Sequence, residues 1–279
     1  MNINMKPDKN TEAVFRMNAN RDMTRKQNFC RITVTKTAAV LCCLVLALNV
    51  AGQTPTGEEI LRRVDENQLA GNKIILSSMI VHGRRSDRTM KLKSWIQGEE
   101  KSFSEYLSPP REAGVKMLKL EDQLWTYYPS TDRTIKIAGH LLRQSMMGSD
   151  LSFEDMMEDP ELARIYEAEV IAEETYEERP CWILKLTARE SDVAYQTRKV
   201  WVDRERYVPL REERFAKSGE LLKTMEIKKV SYEQDRWILM HMVFNDVLKK
   251  GQGTEFIIDS IEFDAVIPEH IFSKAALRR

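Results

Sequence analysis

Two runs of short alternating segments, separated by a single helical interruption, constrain this chain more than any other feature. The first run comprises Lys73–His82, Thr89–Gln97, Lys101–Leu107, Gly114–Leu120, Leu124–Tyr128 and Arg133–Ile137. The second comprises Glu169–Tyr176, Cys181–Ala188, Thr197–Asp203, Leu210–Ala216, Leu222–Tyr232, Ile238–Val247 and Glu255–Phe263. In Thr89–Gln97, Met90, Leu92 and Ile96 fall on one face and Lys91, Lys93 and Trp95 on the other, which is the two-residue period of a strand. Turn residues punctuate both runs: Gly98, Glu121-Asp122, Ser218-Gly219 and the Lys249–Gly253 tip, with glycine supplying the positive φ of tight hairpins. Roughly a dozen strands joined by short turns predict a mainly β, antiparallel meander. No glycine-rich linker divides residues 54–279, which predicts a single domain there.

The interruption runs from Ala138 to about Tyr166. It follows an aromatic hairpin bearing Trp125, Tyr127 and Tyr128. Ser152 is placed as a helix N-cap, with Asp155 three residues later as its capping-box partner. Asp159-Pro160 reads as the start of a second short helix. Met146, Met147, Met156 and Met157 lie in this stretch. Methionine is flexible and polarizable, so it suits a surface that must adapt, although it also fills gaps in ordinary cores. An apolar helical segment between two β runs needs something to cover, which predicts a lid on the concave face of a curved sheet. Leu239–Phe244 alternates poorly, as a strand covered on both faces would. Ahead of the strands, Ile60, Leu61, Val64 and Leu69 share a helical face, with Thr56 and Glu59 forming a capping box.

Charge is unevenly distributed. Residues 1–53 carry eight basic and three acidic residues, and residues 54–279 carry 35 and 40. That mildly acidic remainder offers no phosphate-binding surface, so no nucleic-acid partner is expected. Within the basic leader, Thr37–Val50 is apolar apart from Thr37 and Asn49, and it ends at Ala51-Gly52-Gln53. This order predicts a cleavable secretory signal peptide over residues 1–53, with Met23 as a start giving more ordinary length. The apolar core is shorter than the roughly 18 residues of a spanning helix. Cys42 and Cys43 sit inside that core, not at its end where a lipidated cysteine stands. The exported domain keeps Cys181 alone, so its core must hold it together without a disulfide. Enzyme signatures are absent from the sequence. His82, His140, His241 and His270 form no metal-spaced pair, and there is no phosphate loop or nucleophile elbow. His241 reads as a satisfied core histidine, and the Glu173–Glu178 run reads as a solvated hairpin tip. No catalytic residue, metal ligand or cofactor is expected.

LWTYYP at 124–129, IKI at 135–137, MGSD at 147–150 and FED at 153–155 together resemble the outer-membrane lipoprotein-sorting proteins, exported relatives of the periplasmic lipoprotein carrier LolA. IPEHIF at 267–272 is similar to that family's closing segment, and the resemblance spans about Thr56 to the C-terminus. It implies a mainly β (α+β) fold: an open, strongly curved antiparallel β-barrel of about eleven strands, with an N-terminal helix and a central helical lid. It also implies a periplasmic, monomeric binding protein and not an enzyme. Such a carrier takes acyl chains of lipoproteins or other lipids into an apolar cavity, from an inner-membrane transporter toward an outer-membrane acceptor. The alternative is an accessory or sensor lipid-binding module working with an inner-membrane lipid exporter or signalling protein. The cavity and lid expected on this basis comprise Trp95, Phe103, Met117, Leu124, Trp125, Tyr127, Leu142, Met146, Met147, Phe153, Met156, Met157, Met240 and Met242. Arg133 and Arg143 are the candidates for the arginine that latches the lid in such carriers.

Overall fold

The computed structural model describes residues 54–68, 71–158 and 161–279. The leader of residues 1–53, Leu69 of the first helix and the Asp159-Pro160 helix start lie outside them. The expected capping box closes: Glu59 N donates to Thr56 Oγ1 at 3.2 Å, and Thr56 N donates to Glu59 Oε2 at 2.8 Å. It opens helix α1 (Gly57–Gln68), which buries Ile60, Leu61 and Val64. The first β run becomes β1 (Asn72–Val81), β2 (Arg88–Gln97), β3 (Lys101–Ser108), β4 (Lys116–Leu120), β5 (Gln123–Tyr128) and β6 (Arg133–Ile137). The second becomes β7 (Tyr166–Tyr176), β8 (Arg179–Ala188), β9 (Thr197–Asp203), β10 (Pro209–Phe215), β11 (Leu221–Glu233), β12 (Arg236–Asp246) and β13 (Thr254–Phe263).

All thirteen strands form one antiparallel sheet in the order β6-β5-β4-β3-β2-β1-β13-β12-β11-β10-β9-β8-β7. The sheet is curved and does not close, so the open-barrel expectation holds with more strands than the eleven expected. All thirteen correspond to segments of the two alternating runs, and even the five-residue β4 and β6 pair within the sheet, β4 on both sides and β6 on one. β1 and β13 meet at the centre, and β6 and β7 are the two edges.

Between those edges the chain makes 3-10 turns at Gly139–Arg143 and Met146–Gly148, then helices α2 (Phe153–Met157) and α3 (Leu162–Ile165). Ser152 caps α2 as expected: Asp155 N donates to Ser152 Oγ at 3.2 Å, and Ser152 N donates to Asp155 Oδ2 at 2.6 Å. The central element is thus a string of short turns rather than one long helix.

Three covers give the sheet its cores. On the inner face, the lid buries Met79, Met90, Tyr106, Met117 and Leu124 beneath Met146, Leu151 and Phe153. Also on that face, α1 packs on Tyr166, Trp182, Leu184, Val200 and Val202. On the outer face, the C-terminal segment lays Ile267, Phe272 and Leu277 over Phe103, Leu118 and Trp125. Cys181 and Ile183, on the side of β8 opposite α1, join Trp201, Val208 and Leu210 in a further cluster. Burial pushes the Cys181 thiol up to about 11, as suits a small buried apolar residue.

The seat of α1 is tight. A Cβ on Gly57 would lie 2.4 Å from the Ala168 carbonyl oxygen on β7. Gly57→Ala is expected to lower the unfolding free energy by about 1–3 kcal/mol through this overpacking. The measurement is the urea midpoint at constant slope; an unchanged midpoint would show that α1 slides without cost.

Candidate functional site

Successive strand residues point to opposite faces, so neighbours on β5 part company. Leu124 joins Met117, Met146 and Phe153 on the inner face, with Leu142, Met147 and Met157 packed against them. Trp125 instead lies with Phe103 on the outer face, and Trp95 and Tyr127 pack beside them under the C-terminal segment. The Trp95 and Phe103 rings sit 5.7 Å apart there. These four aromatics, expected on the cavity wall, therefore belong to the outer core. A shift of one residue in parity exchanges the faces of a whole strand. Met156 and Met242 do line a cavity, whereas Met240 is half-buried and outside its lining.

The inner face carries a row that the sequence reading missed. Met90 on β2 lies opposite Met79 on β1, Met79 opposite Phe256 on β13, Phe256 opposite Met242 on β12, and Met242 opposite Ile227 on β11. Each of these residues sits at an inner-parity position of its own strand. The row becomes legible only when the strand order is known.

The inner face is not filled throughout. Between α1, the lid and strands β9 to β13 lies a cavity of about 310 Å³, at the small end of the roughly 300–1,000 Å³ typical of ligand sites. Its apolar wall comes from Leu61 and Val64 of α1, Leu151 and Met156 of the lid, and Val200, Met225, Met242, Phe244 and Phe256 of the sheet. A second hollow of about 580 Å³ shares Leu151 and is lined by polar groups that include Lys217, Lys223 and Lys249.

One side of the apolar cavity is charged, with Asp155, Glu158, Arg198, Glu212 and Arg214, and α1 adds the buried Asp65, which accepts from Ala163 N at 2.8 Å. Arg198 is 1% exposed and Glu212 is 4% exposed. Arg214 grips Glu212 with two bonds of 3.1 Å, and Arg198 Nη1 donates to Glu212 Oε1 at 2.7 Å. The lid enters this network from above. Asp155 Oδ1 accepts from Arg214 Nη1 at 3.1 Å and from the Tyr195 hydroxyl at 2.6 Å, while Lys223 pairs with Oδ2. Glu158 pairs with Arg198 and lies 3.9 Å from Arg214.

Burial alone would raise the Asp155 carboxyl, but Arg214 and Lys223 outweigh it and bring the group down to about 2. Burial likewise opposes ionisation of Glu212, and Arg214 and Arg198 hold it below the usual carboxylate range all the same. Asp155 thus acts both as the box partner of Ser152 and as the bolt between lid and sheet. The sequence signal for this network was slight, because Arg211-Glu212-Glu213-Arg214 on β10 looks like a wet strand.

Arg133 and Arg143 are both exposed, and neither makes a lid-latching contact among the described residues. Arg88, at the start of β2, donates instead to the Met147 carbonyl and pairs with Glu112 at 3.5 Å. On the outer face Glu255 bridges His82 and His241, at 2.7 and 2.6 Å. His241 is therefore a satisfied histidine, but half-buried rather than in the core. Among the described residues no group of three or more His, Cys, Asp or Glu side chains is placed to hold a metal ion. No helix among them is long and apolar enough to cross a membrane.

The model of a family described as an uncharacterized protein matches residues 98–279. No curated protein matches the chain. Several solved structures share its fold. A domain described as an outer membrane lipoprotein-sorting protein, from Vibrio parahaemolyticus, is 23% identical with a TM-score of 0.70, over 80% of this chain and 98% of that one. A DUF1329 family protein from Desulfovibrio piger is 21% identical with a TM-score of 0.71, over 79% and 97%. A LolA superfamily protein from Nitrosomonas europaea is 20% identical with a TM-score of 0.66, over 80% and 100%.

Proposed function

We propose a lipid-carrying function for this chain, which belongs to the family matched across residues 98–279 and has the fold of the LolA superfamily and its lipoprotein-sorting members. In this reading it is a binding protein and not an enzyme. It takes acyl chains of lipoproteins or other lipids into the cavity under the lid and takes part in their transfer to the outer membrane. Residues 1–53 serve as its export signal, and the mature chain works in the periplasm as a monomer. An inner-membrane transporter is the donor class and an outer-membrane acceptor the recipient class.

The observation that carries this reading is the apolar cavity between α1 and a lid built of short turns and helices. An acyl chain gains about 0.8 kcal/mol per CH₂ on leaving water. In the structure, lid residues Leu151 and Met156 already cover part of that wall. Cargo must displace them, so affinity is the difference between cargo contacts and lid contacts. This keeps binding reversible, as transfer requires.

Met242→Asp places a charge on the cavity wall. It is expected to weaken binding of a fluorescent fatty acid by about tenfold or more, with the far-ultraviolet circular dichroism of the sheet retained. Met147→Asp in the lid should act in the same direction. Wild-type affinity in both variants would sink the cavity reading. Mass spectrometry of lipids and lipoproteins retained through gentle purification identifies the cargo.

A further inference from the structure

We infer that the charged wall is the headgroup site of this cavity, shaped for an amphiphile with a carboxylate or phosphate head, and that lid residues Asp155 and Glu158 occupy it as internal stand-ins for that anion. The inference rests on the carrier reading and names the class of cargo.

The sheet's own contribution is unbalanced. Arg198, Arg214 and Lys223 stand directly opposite one another on β9, β10 and β11. Like charges directly opposite are destabilising by themselves. Glu212, on the same face two residues from Arg214, answers one of the three. The other two positive charges are met by Asp155 and Glu158, and both of those belong to the lid. Admitting a chain beneath the lid withdraws both carboxylates together. Buried cations stripped of their partners are strongly unfavourable, so the open form requires a negative charge that the cargo brings.

The donors left behind suit such a head. Arg214 Nη1, now on Asp155, and Arg198 Nη2, now on Glu158, would be released, while the rest of both guanidinium groups stays on Glu212. The Lys223 ammonium and the Tyr195 hydroxyl, both now on Asp155, add further donors. Arg198 Nε is buried without a hydrogen-bond partner among the described residues. The apolar wall begins at once beside these groups: Met225 lies opposite Glu212, and Phe244 lies opposite Met225. Head and tail of one molecule can therefore rest on one continuous surface. Lys223 also lines the polar hollow, where Arg143, Lys217 and Lys249 stand among Asp150, Glu154, Asp192 and Asp246, so the site is reachable from a polar, charge-balanced mouth.

The test is displacement of a fluorescent fatty acid from the full chain by dodecyl phosphate, dodecanol and inorganic phosphate at neutral pH. Dodecyl phosphate is expected to bind about tenfold or more tighter than dodecanol, and inorganic phosphate to displace the probe only weakly. Asp155→Asn removes the internal competitor and should tighten dodecyl phosphate more than dodecanol. Lys223→Gln leaves the buried arginines in place and should narrow the ratio between the two ligands. Equal affinity for both dodecyl ligands in the wild type and both variants would overturn the headgroup site while leaving the carrier reading standing. No binding of either would overturn the carrier reading and this inference with it. Inorganic phosphate competing as well as dodecyl phosphate would make this a free-anion site and overturn the assignment to an amphiphile.

Discussion

Phe272→Ala is expected to lower the free energy of unfolding by about 3–5 kcal/mol, the usual cost of truncating a buried phenylalanine, while leaving fatty-acid binding at its wild-type level. Phe272 is 6% exposed and packs among Phe103, Leu118, Trp125, Ile267 and Leu277. Its segment is held by few other ties: Lys101 to Glu269, Lys116 to the Arg279 carbonyl, and Lys274 over the Trp125 ring at 4.2 Å. The cavity left by the ring would therefore open at the heart of the cover. Val266, 94% exposed in the same segment, supplies the control; Val266→Ser should change stability by about 0.5 kcal/mol or less. Urea unfolding and fatty-acid titration of the same samples decide the matter. A stable Phe272→Ala protein with impaired binding would return the outer aromatics to the ligand site.

Glu212→Ala is expected to cost a further about 3–5 kcal/mol in its own right, because it strands Arg198 and Arg214 in the interior. Together the two changes would remove about 6–10 kcal/mol, which is comparable to the whole stability of an ordinary domain, about 5–15 kcal/mol. Acid probes the same network from the lid side. Asp155 titrates near 3.8 when unfolded and at about 2 in the fold. Its contribution is thus fully present above about pH 4 and is lost as the pH falls toward 2, amounting to about 2 kcal/mol. The lid should loosen in that window, and Asp155→Asn should flatten this part of the stability profile. A profile unchanged by Asp155→Asn would show that the carboxylate is not the bolt.

The strands, the two capping boxes and the position of the lid were legible because each has a local signal. Alternation marks β2, and Ser152 with Asp155 marks the start of α2. The faces of the aromatic hairpin were not legible, for a physical reason. Leu124, Trp125 and Thr126 are all buried, because the lid covers one side of β5 and the C-terminal segment the other. Hydrophobicity cannot indicate which parity faces the ligand when both sides are dry. The charged wall was hidden in the opposite way. Glu212 and Arg214 looked like solvent-facing residues, and what makes them interior is pairing across β9, β10 and β11 with a lid distant in sequence. Local pattern reports exposure only where no remote charge compensates burial.

The strand order also bears on how the molecule is made. Each half of the sheet, β1 to β6 and β7 to β13, is a meander of sequence neighbours that can zip up locally. The halves are joined by one ladder between the first strand and the last, from Lys73 opposite Phe263 to Val81 opposite Thr254. Pairing across so long a separation forms late, since the loop must close before the contacts repay it. A chain emerging N-terminus first therefore presents one side of β1, with Ile74, Ile75, Met79 and Ile80, as an unpaired edge until β13 follows. Such an edge is a template for pairing between copies. The arrival of β13 is the step at which two meanders become a single molecule, and the interval before it is when the nascent chain is most exposed to its own kind.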